Sequence, residues 1–212
     1  MIPQALQAAL QHHQAGRLRE AEAIYRQILQ SEPDHPDALH LLGVIAHQVG
    51  QDKVAVDLIG KAIEANPAAA EFYNTLGSVL QAQGRLEEAV TRYQQAVTLQ
   101  AEYAEAHYNL WNALCEALWM GVPVITLVGS SFLSRIGGSL LTHVGLTEAV
   151  TYSPAQYVER AVTLSKDLDH LSRLRLGLRA RVAASLCDAE TFVHNLEQAY
   201  QAMWRRWCES AT

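Results

Sequence analysis

Residues 115–129 read CEALWMGVPVITLVG, and the chain changes character there. A repetitive helical pattern leads up to the stretch and a compact helical tail follows it. Residues 115–120 read as the end of a helix, Gly121 as a tight turn, and Val122–Leu127 as a buried strand. That strand is short, apolar and rich in β-branched residues, which suits a parallel strand covered on both faces. A helix feeding such a strand is the joining element of an α/β nucleotide-binding layer.

Upstream, residues repeat with a period of 34: Gly16, Gly50 and Gly84, then Ala21, Ala55 and Ala89. Gly43 and Gly77 match, as do Pro33 and Pro67, and Tyr25 and Tyr93 share a position that Ile59 fills between them. Each unit makes physical sense as a helical hairpin. In the second, Pro36–Gln48 carries Leu39, Leu42, Ile45 and Ala46 as its apolar set. Gly50 breaks the helix, and Lys53–Ala65 returns with Ala55, Leu58, Ile59 and Ala62. Small residues at Gly43 and Ala55 let the two helices approach closely, and Asn66-Pro67 ends the unit. With Leu42-Gly43, Leu76-Gly77, the alanines at 55, 62, 89 and 96 and both prolines, these units resemble the tetratricopeptide repeat (TPR). The first is degenerate, with Ala8-Ala9 in place of Leu-Gly.

The resemblance implies an αα superhelix whose concave face holds a protein or peptide. By its pattern the inward positions are His40, Val44, His47 and Gln48 in the second repeat and Asn74, Ser78 and Gln81 in the third. A polar groove whose amides hold a partner's backbone and a merely solvated helix face both satisfy this composition. The nine histidines do not assemble a metal site. His12 and His13 are adjacent and diverge on a helix, while His40 and His47 share a face without a third ligand.

A fourth unit begins at Tyr103, with Leu110 where Leu42 and Leu76 stand. Then the pattern fails: Trp111 takes the glycine position, Leu118 takes the helix-breaking position, and the helix runs on to Gly121. One stripe comprises residues 103, 110, 114, 117 and 118, and Trp111, Cys115 and Trp119 add a second, so this helix is buried on most sides.

From Cys115 through Leu127 the residues resemble the final part of the SPINDLY-type O-linked N-acetylglucosamine transferases, TPR proteins with a two-lobed glycosyltransferase of the GT-B class. Ser134-Arg135-Ile136-Gly137, Ser139-Leu140-Leu141, Gly145-Leu146, Tyr157-Val158, Leu174-Arg175 and Leu178-Arg179 follow in order. Residues 196–204, LEQAYQAMW, close the match, which covers roughly 112–208. The resemblance implies a UDP-N-acetylglucosamine donor, no permanently bound cofactor, and Glu116 as the acidic residue on the donor ribose. It also implies a Thr-rich helix start holding the diphosphate. Trp111, Asn112, Ala113 and Leu114 stand there instead. The family's general-base candidate and diphosphate-facing lysine lie in parts that nothing here matches, so no residue takes a catalytic role. The chain reads as a TPR array, 1–111, joined directly to a C-terminal transferase segment, 112–212. The fold class expected is mainly α, a superhelix followed by a partial, Rossmann-like α/β segment. The function expected is a link to UDP-sugar-dependent protein O-glycosylation without activity of this chain alone. The alternative is a TPR adaptor with the segment as its cap.

In the tail, Ser130 or Ser131 reads as the cap of a helix over 132–144, Ala149–Tyr152 as a short strand and Ser153-Pro154 as a helix start. An anion-binding turn after the first strand, with Arg135 facing a phosphate, competes with an ordinary capped turn and a surface ion pair. Asp167–Ser185 carries Leu171, Leu174, Leu178 and Val182 opposite Arg173, Arg175, Arg179 and Arg181, which reads as a solvated basic face. The last helix, 189–208, is expected to bury Phe192, Leu196, Tyr200, Met203 and Trp207 against the TPR helices or a second chain. Net charge is −6, spread over both halves, against non-specific nucleic-acid binding. Three distant cysteines suit a reducing cytosol over a disulfide framework. Neither a signal peptide nor a membrane span is expected.

Overall fold

The structure, a computed structural model, describes residues 2–129 and 135–210. These divide into two compact units with the boundary after Glu116, where the sequence reading places it after residue 111.

The first unit is a run of antiparallel helices: α1 (Ile2–Gln14), α2 (Leu18–Ser31), α3 (Pro36–Gln48), α4 (Asp52–Ala65), α5 (Ala70–Ala82), α6 (Leu86–Leu99) and α7 (Ala104–Trp119). Neighbours pair as hairpins because each first helix ends in one motif. Gly16, Gly50 and Gly84 have φ of 73°, 78° and 74°, and the next residue's N–H reaches back five residues, as Gln51 N does to Ala46 O at 2.8 Å. That left-handed cap satisfies carbonyls the helix leaves open, and only glycine adopts it cheaply. Within a hairpin the contact is closer than any side chain permits. A Cβ on Gly43 would lie 2.7 Å from Ile59 Cγ1, and one on Gly77 would lie 2.6 Å from Tyr93 Cε1. The residues facing these glycines, Ile59 and Tyr93, are buried with Ala55, Ala62, Ala89 and Ala96. Each such large side chain contributes about 1.5–3 kcal/mol of transfer free energy. The period therefore encodes packing: a missing Cβ on one helix accepts a large side chain from the next.

Helix α7 departs from this as its sequence foretells. Its left-handed cap is Gly121, φ 78°, with Val122 N bonded to Ala117 O at 2.7 Å. Trp111 occupies the close-approach position, so no second helix can pack there as α4 and α6 do, and the helix runs on about one turn.

The second unit follows Gly121 with β1 (Thr126–Leu127), α8 (Ile136–His143), a 3-10 turn (Thr147–Ala149), β2 (Val150–Thr151), α9 (Pro154–Lys166), α10 (Leu168–Leu186) and α11 (Ala189–Ser210). The strands are parallel, with Thr126 opposite Val150 and Leu127 opposite Thr151. The pairing sense is the one expected, but the strand is shorter than Val122–Leu127. Only two residues of each segment find ladder partners, and Leu127 is exposed, so β1 is not covered on both faces. Gly138 sits over this pair, where a Cβ would meet Val128 Cγ2 at 2.6 Å. The serine caps expected at 130–131 and the start of the helix expected over 132–144 lie outside the described residues. Ser153 caps α9 by accepting from Gln156 N at 3.3 Å, and Asp167 caps α10 by accepting from His170 N at 2.9 Å.

On α10, Leu174, Leu178 and Val182 are buried as expected. Its arginines, however, are more than a solvated face. Arg179 lies 4.7 Å over the Trp119 ring and Arg181 donates to Gly145 O at 3.1 Å. The larger correction concerns α11. Phe192, Leu196, Tyr200, Met203 and Trp207 are exposed, not buried.

Candidate functional site

The polar residues of the TPR unit form a ladder between repeats, and its spacing is regular. His13 meets Gln48 at 3.0 Å, His40 meets Thr75 at 2.9 Å, Asn109 donates to Asn74 at 3.0 Å, and Gln81 donates to Glu116 at 2.9 Å. In all four the partners are 35 residues apart, one period plus one. The offset arises because stacked repeats are rotated against each other, so a side chain reaches the next residue along in the following repeat.

This places the sequence candidates at different depths. His40 is buried, with its ring 4.6 Å from that of Phe72. Thr75 Oγ1 donates to Glu71 O at 3.0 Å, so it accepts from His40 Nε2, which fixes the neutral Nε2–H tautomer. Burial lowers the His40 pKa to about 4. Asn74 is buried too. Its amide donates to Glu105 Oε1 at 3.2 Å and Tyr103 Oη at 3.4 Å while its oxygen accepts from Asn109. These two residues form the floor of the helix face and are already hydrogen-bonded. Ser78 and Gln81 lie half-buried above them, tied to the Tyr93 hydroxyl at 3.2 and 2.9 Å. His47, also half-buried, contacts Asp52 at 2.7 Å. Gln48 is exposed and Val44 half-buried.

Sequence reasoning missed Thr75, Asn109 and a row of carboxylates. Asp37, Glu71 and Glu105 are spaced by 34 and all exposed. Glu71 sits between the other two: although its side chain reaches solvent, partial desolvation by the surrounding atoms, and then repulsion from Asp37 and Glu105, raise its pKa. The spacing was a signal in plain view, since it repeats with the same period as the glycines. The row gives this face a negative edge beside the amide ladder, an arrangement suited to a chain segment carrying cationic groups.

Glu116 lies in α7 with its carboxylate exposed and bonded to Gln81. Residues 111–114 lie inside the same continuous helix, whose N-terminus is Ala104. Backbone N–H groups in that turn are committed within the helix and do not point at an anion. In the second unit a cleft of about 240 Å³ is lined by Pro123, Val124, Leu146, Arg160, Asp167 and His170 among others. It lies before the strands, at their N-terminal ends. Nucleotides in open parallel layers bind beyond the C-terminal ends.

Two family descriptions match the sequence: tetratricopeptide repeat over residues 12–79 and glycosyl transferase family 41 over residues 78–196. Among curated relatives, the probable UDP-N-acetylglucosamine–peptide N-acetylglucosaminyltransferase SPINDLY of Petunia hybrida is 47% identical over 96 residues, 45% of this chain and 10% of the relative. The UDP-N-acetylglucosamine–peptide N-acetylglucosaminyltransferase of Caenorhabditis elegans is 34% identical over 93 residues, 43% of this chain and 8% of the relative. This chain thus spans about a tenth of such proteins. Among solved structures, a mutant Thermobaculum terrenum O-GlcNAc transferase matches 53% of this chain and 22% of its own, with 33% identity and a TM-score of 0.52. The first TPR of Spaghetti (RPAP3) bound to an HSP90 peptide matches 53% of this chain and 89% of its own, at 20% identity and a TM-score of 0.50, a likeness of fold alone. The family 41 description covers more than half of the 212 residues, and it begins inside the repeats and runs unbroken through α7 into the second unit: the chain belongs to glycosyl transferase family 41.

Proposed function

We propose that this chain serves UDP-sugar-dependent protein O-glycosylation as a peptide-holding arm and does not turn over donor by itself. The observation that carries the reading is α7. It joins the repeat ladder to the family 41 segment through one helix, which puts Glu116 beside Gln81 and leaves residues 111–114 without free N–H groups. A donor half-site on Glu116 would need its carboxylate released from Gln81 and an anion site from elsewhere. The partner in the groove is an extended protein segment, held by the exposed and half-buried amides of Gln48 and Gln81 with Ser78 and His47. His40 and Asn74 brace that floor, and the carboxylates of Asp37, Glu71 and Glu105 favour basic side chains. The two-stranded parallel sheet fits the closing corner of a Rossmann-like layer, and the exposed face of α11 is where a second chain docks.

The adaptor reading, with the family 41 segment as a cap, draws on the same helix, because a solenoid's last apolar face must be covered. Calorimetric titration of the purified chain with UDP and UDP-N-acetylglucosamine separates the two. Saturable heat that Glu116→Ala abolishes supports a surviving donor half-site. No heat from a folded sample sinks the donor half-site and leaves the groove as the working surface.

A further inference from the structure

Strand β1 has one edge paired and one edge open. We propose that the open edge takes an added strand from another polypeptide, an extended, uncharged segment rich in β-branched residues that runs parallel to β1. Neither the groove nor the donor enters this proposal.

The hydrogen bonds show which edge is open. Thr126 stands opposite Val150 and Leu127 opposite Thr151, and Val128 N donates to Thr151 O at 2.8 Å. Backbone groups of an extended chain alternate in direction. Residues 126 and 128 therefore turn their N–H groups to β2, and Ile125 and Leu127 turn N–H and C=O the other way. Among the described residues, none is bonded to those four groups. Alternating donors and acceptors on a straight edge are matched by another extended backbone, in the manner of strand addition.

The side chains specify what kind of strand. Five of the seven residues 122–128 are β-branched, and residues 117–134 carry no charged side chain. Edge strands are commonly blunted by a charge, a proline or a bulge, and none stands at 124–128. Leu127, 40% exposed, lies where an apolar side chain of the added strand would cover it. A charged residue there would be desolvated without a partner.

Topology gives the direction. Parallel neighbours are joined by crossover helices, as β1 and β2 are by α8. Helix α7 leads into β1 as such a helix does, yet the element before α7 is the helix α6. The chain thus supplies no strand ahead of α7 to lie beside β1, and the pair it does form is a two-stranded parallel sheet, an arrangement that ordinarily belongs to a wider, covered layer.

The test is hydrogen exchange, read amide by amide by nuclear magnetic resonance on the whole chain. In the free chain the Ile125 and Leu127 amides should exchange about tenfold or more faster than those of Thr126 and Val128. The probe is an acetylated seven-residue peptide of alternating valine and threonine, with an oligoethylene glycol tail for solubility, at about 1 mM, a weak affinity. It should slow Ile125 and Leu127 by about tenfold or more. The same peptide N-methylated throughout, which has no N–H to give, should lose the effect. Leu127→Pro should also lose it at Ile125 while the chain stays folded, because proline is tolerated where the N–H points off a sheet edge. Equal protection of all four amides in the free chain overturns the open edge. Unchanged exchange at about 1 mM peptide, or an equal effect from the methylated peptide, overturns strand addition. Slowing confined to the repeats also overturns it, and leaves the peptide to the groove.

Discussion

Tyr25 and Tyr93 occupy the same place in the repeat and are both buried, yet only one has its hydroxyl satisfied. Tyr93 reaches Ser78 and Gln81. At the positions equivalent to those two, the first repeat has Leu10 and His13, and the Tyr25 hydroxyl has no hydrogen-bond partner. An unpaired buried hydroxyl costs about 1–3 kcal/mol, whereas a paired one contributes about 1 kcal/mol. Tyr25→Phe is therefore expected to stabilise the chain by about 1 kcal/mol and Tyr93→Phe to destabilise it by a similar amount. Urea denaturation of the two variants checks the opposite signs. His40 sets a pH dependence. Its folded pKa of about 4 lies below the ordinary value, so the unfolded chain binds more protons between about pH 4 and 6.5. Stability then rises with pH through that window, is fully present above it, and loses on the order of 3 kcal/mol on acidification to pH 4. Glu71, raised in the folded state, has the opposite slope, but only near the carboxylate range. Denaturation midpoints from pH 5 to 7 should flatten in His40→Asn; an unchanged slope would assign the effect to another group. The sequence placed residues 40 and 74 on the inward face of the repeats. It did not show that they lie under the surface, because depth depends on what the next repeat supplies, Thr75 to His40 and Asn109 to Asn74.

At the scale of the helix, the glycine caps separate into two kinds. A Cβ at Gly50 meets nothing within 4 Å, whereas one at Gly121 lies 3.0 Å from the Arg175 carbonyl oxygen. Both residues have positive φ, so alanine is strained at either. Gly50→Ala should cost about 1 kcal/mol from backbone strain alone, and Gly121→Ala about 2–3 kcal/mol because the backbone of α10 must also move. Thermal melts of the two variants give the comparison, and equal losses would mean that α10 yields freely. The hairpins and the overlong α7 were legible because glycine, alanine and proline carry backbone instructions that do not depend on distant contacts. The strand was less so. A β-branched run such as Val122–Leu127 states a propensity, and the strand's length is set by its partner, which pairs only at Val150 and Thr151. The exposure of α11 was illegible for a related reason. Its apolar residues require a covering surface, and a periodic stripe does not say which molecule provides one.

Across the whole molecule, two units of different construction divide at Glu116. The repeats contact their neighbours in sequence order, so their stability is close to a sum of local terms. The second unit depends on contacts distant in sequence, such as the parallel pair at 126 and 150 and the Arg179–Trp119 contact. A ligand stabilises the unit it binds, by about 2.7 kcal/mol at 100 times its dissociation constant, and leaves an independent unit alone. A basic peptide seated along Asp37, Glu71 and Glu105 should therefore raise the denaturation midpoint of the repeats, and added salt should reduce that shift by screening the carboxylates. Millimolar UDP should leave both midpoints where they are, because the turn at 111–114 offers no free N–H and Glu116 is held by Gln81. The four tryptophans give a local reading, Trp111 for the repeats and Trp119, Trp204 and Trp207 for the second unit, if each set is replaced by phenylalanine in turn. A UDP-dependent rise in the second set alone would restore a donor site to this segment. A peptide effect indifferent to Glu71→Gln would move the binding surface off the carboxylate row.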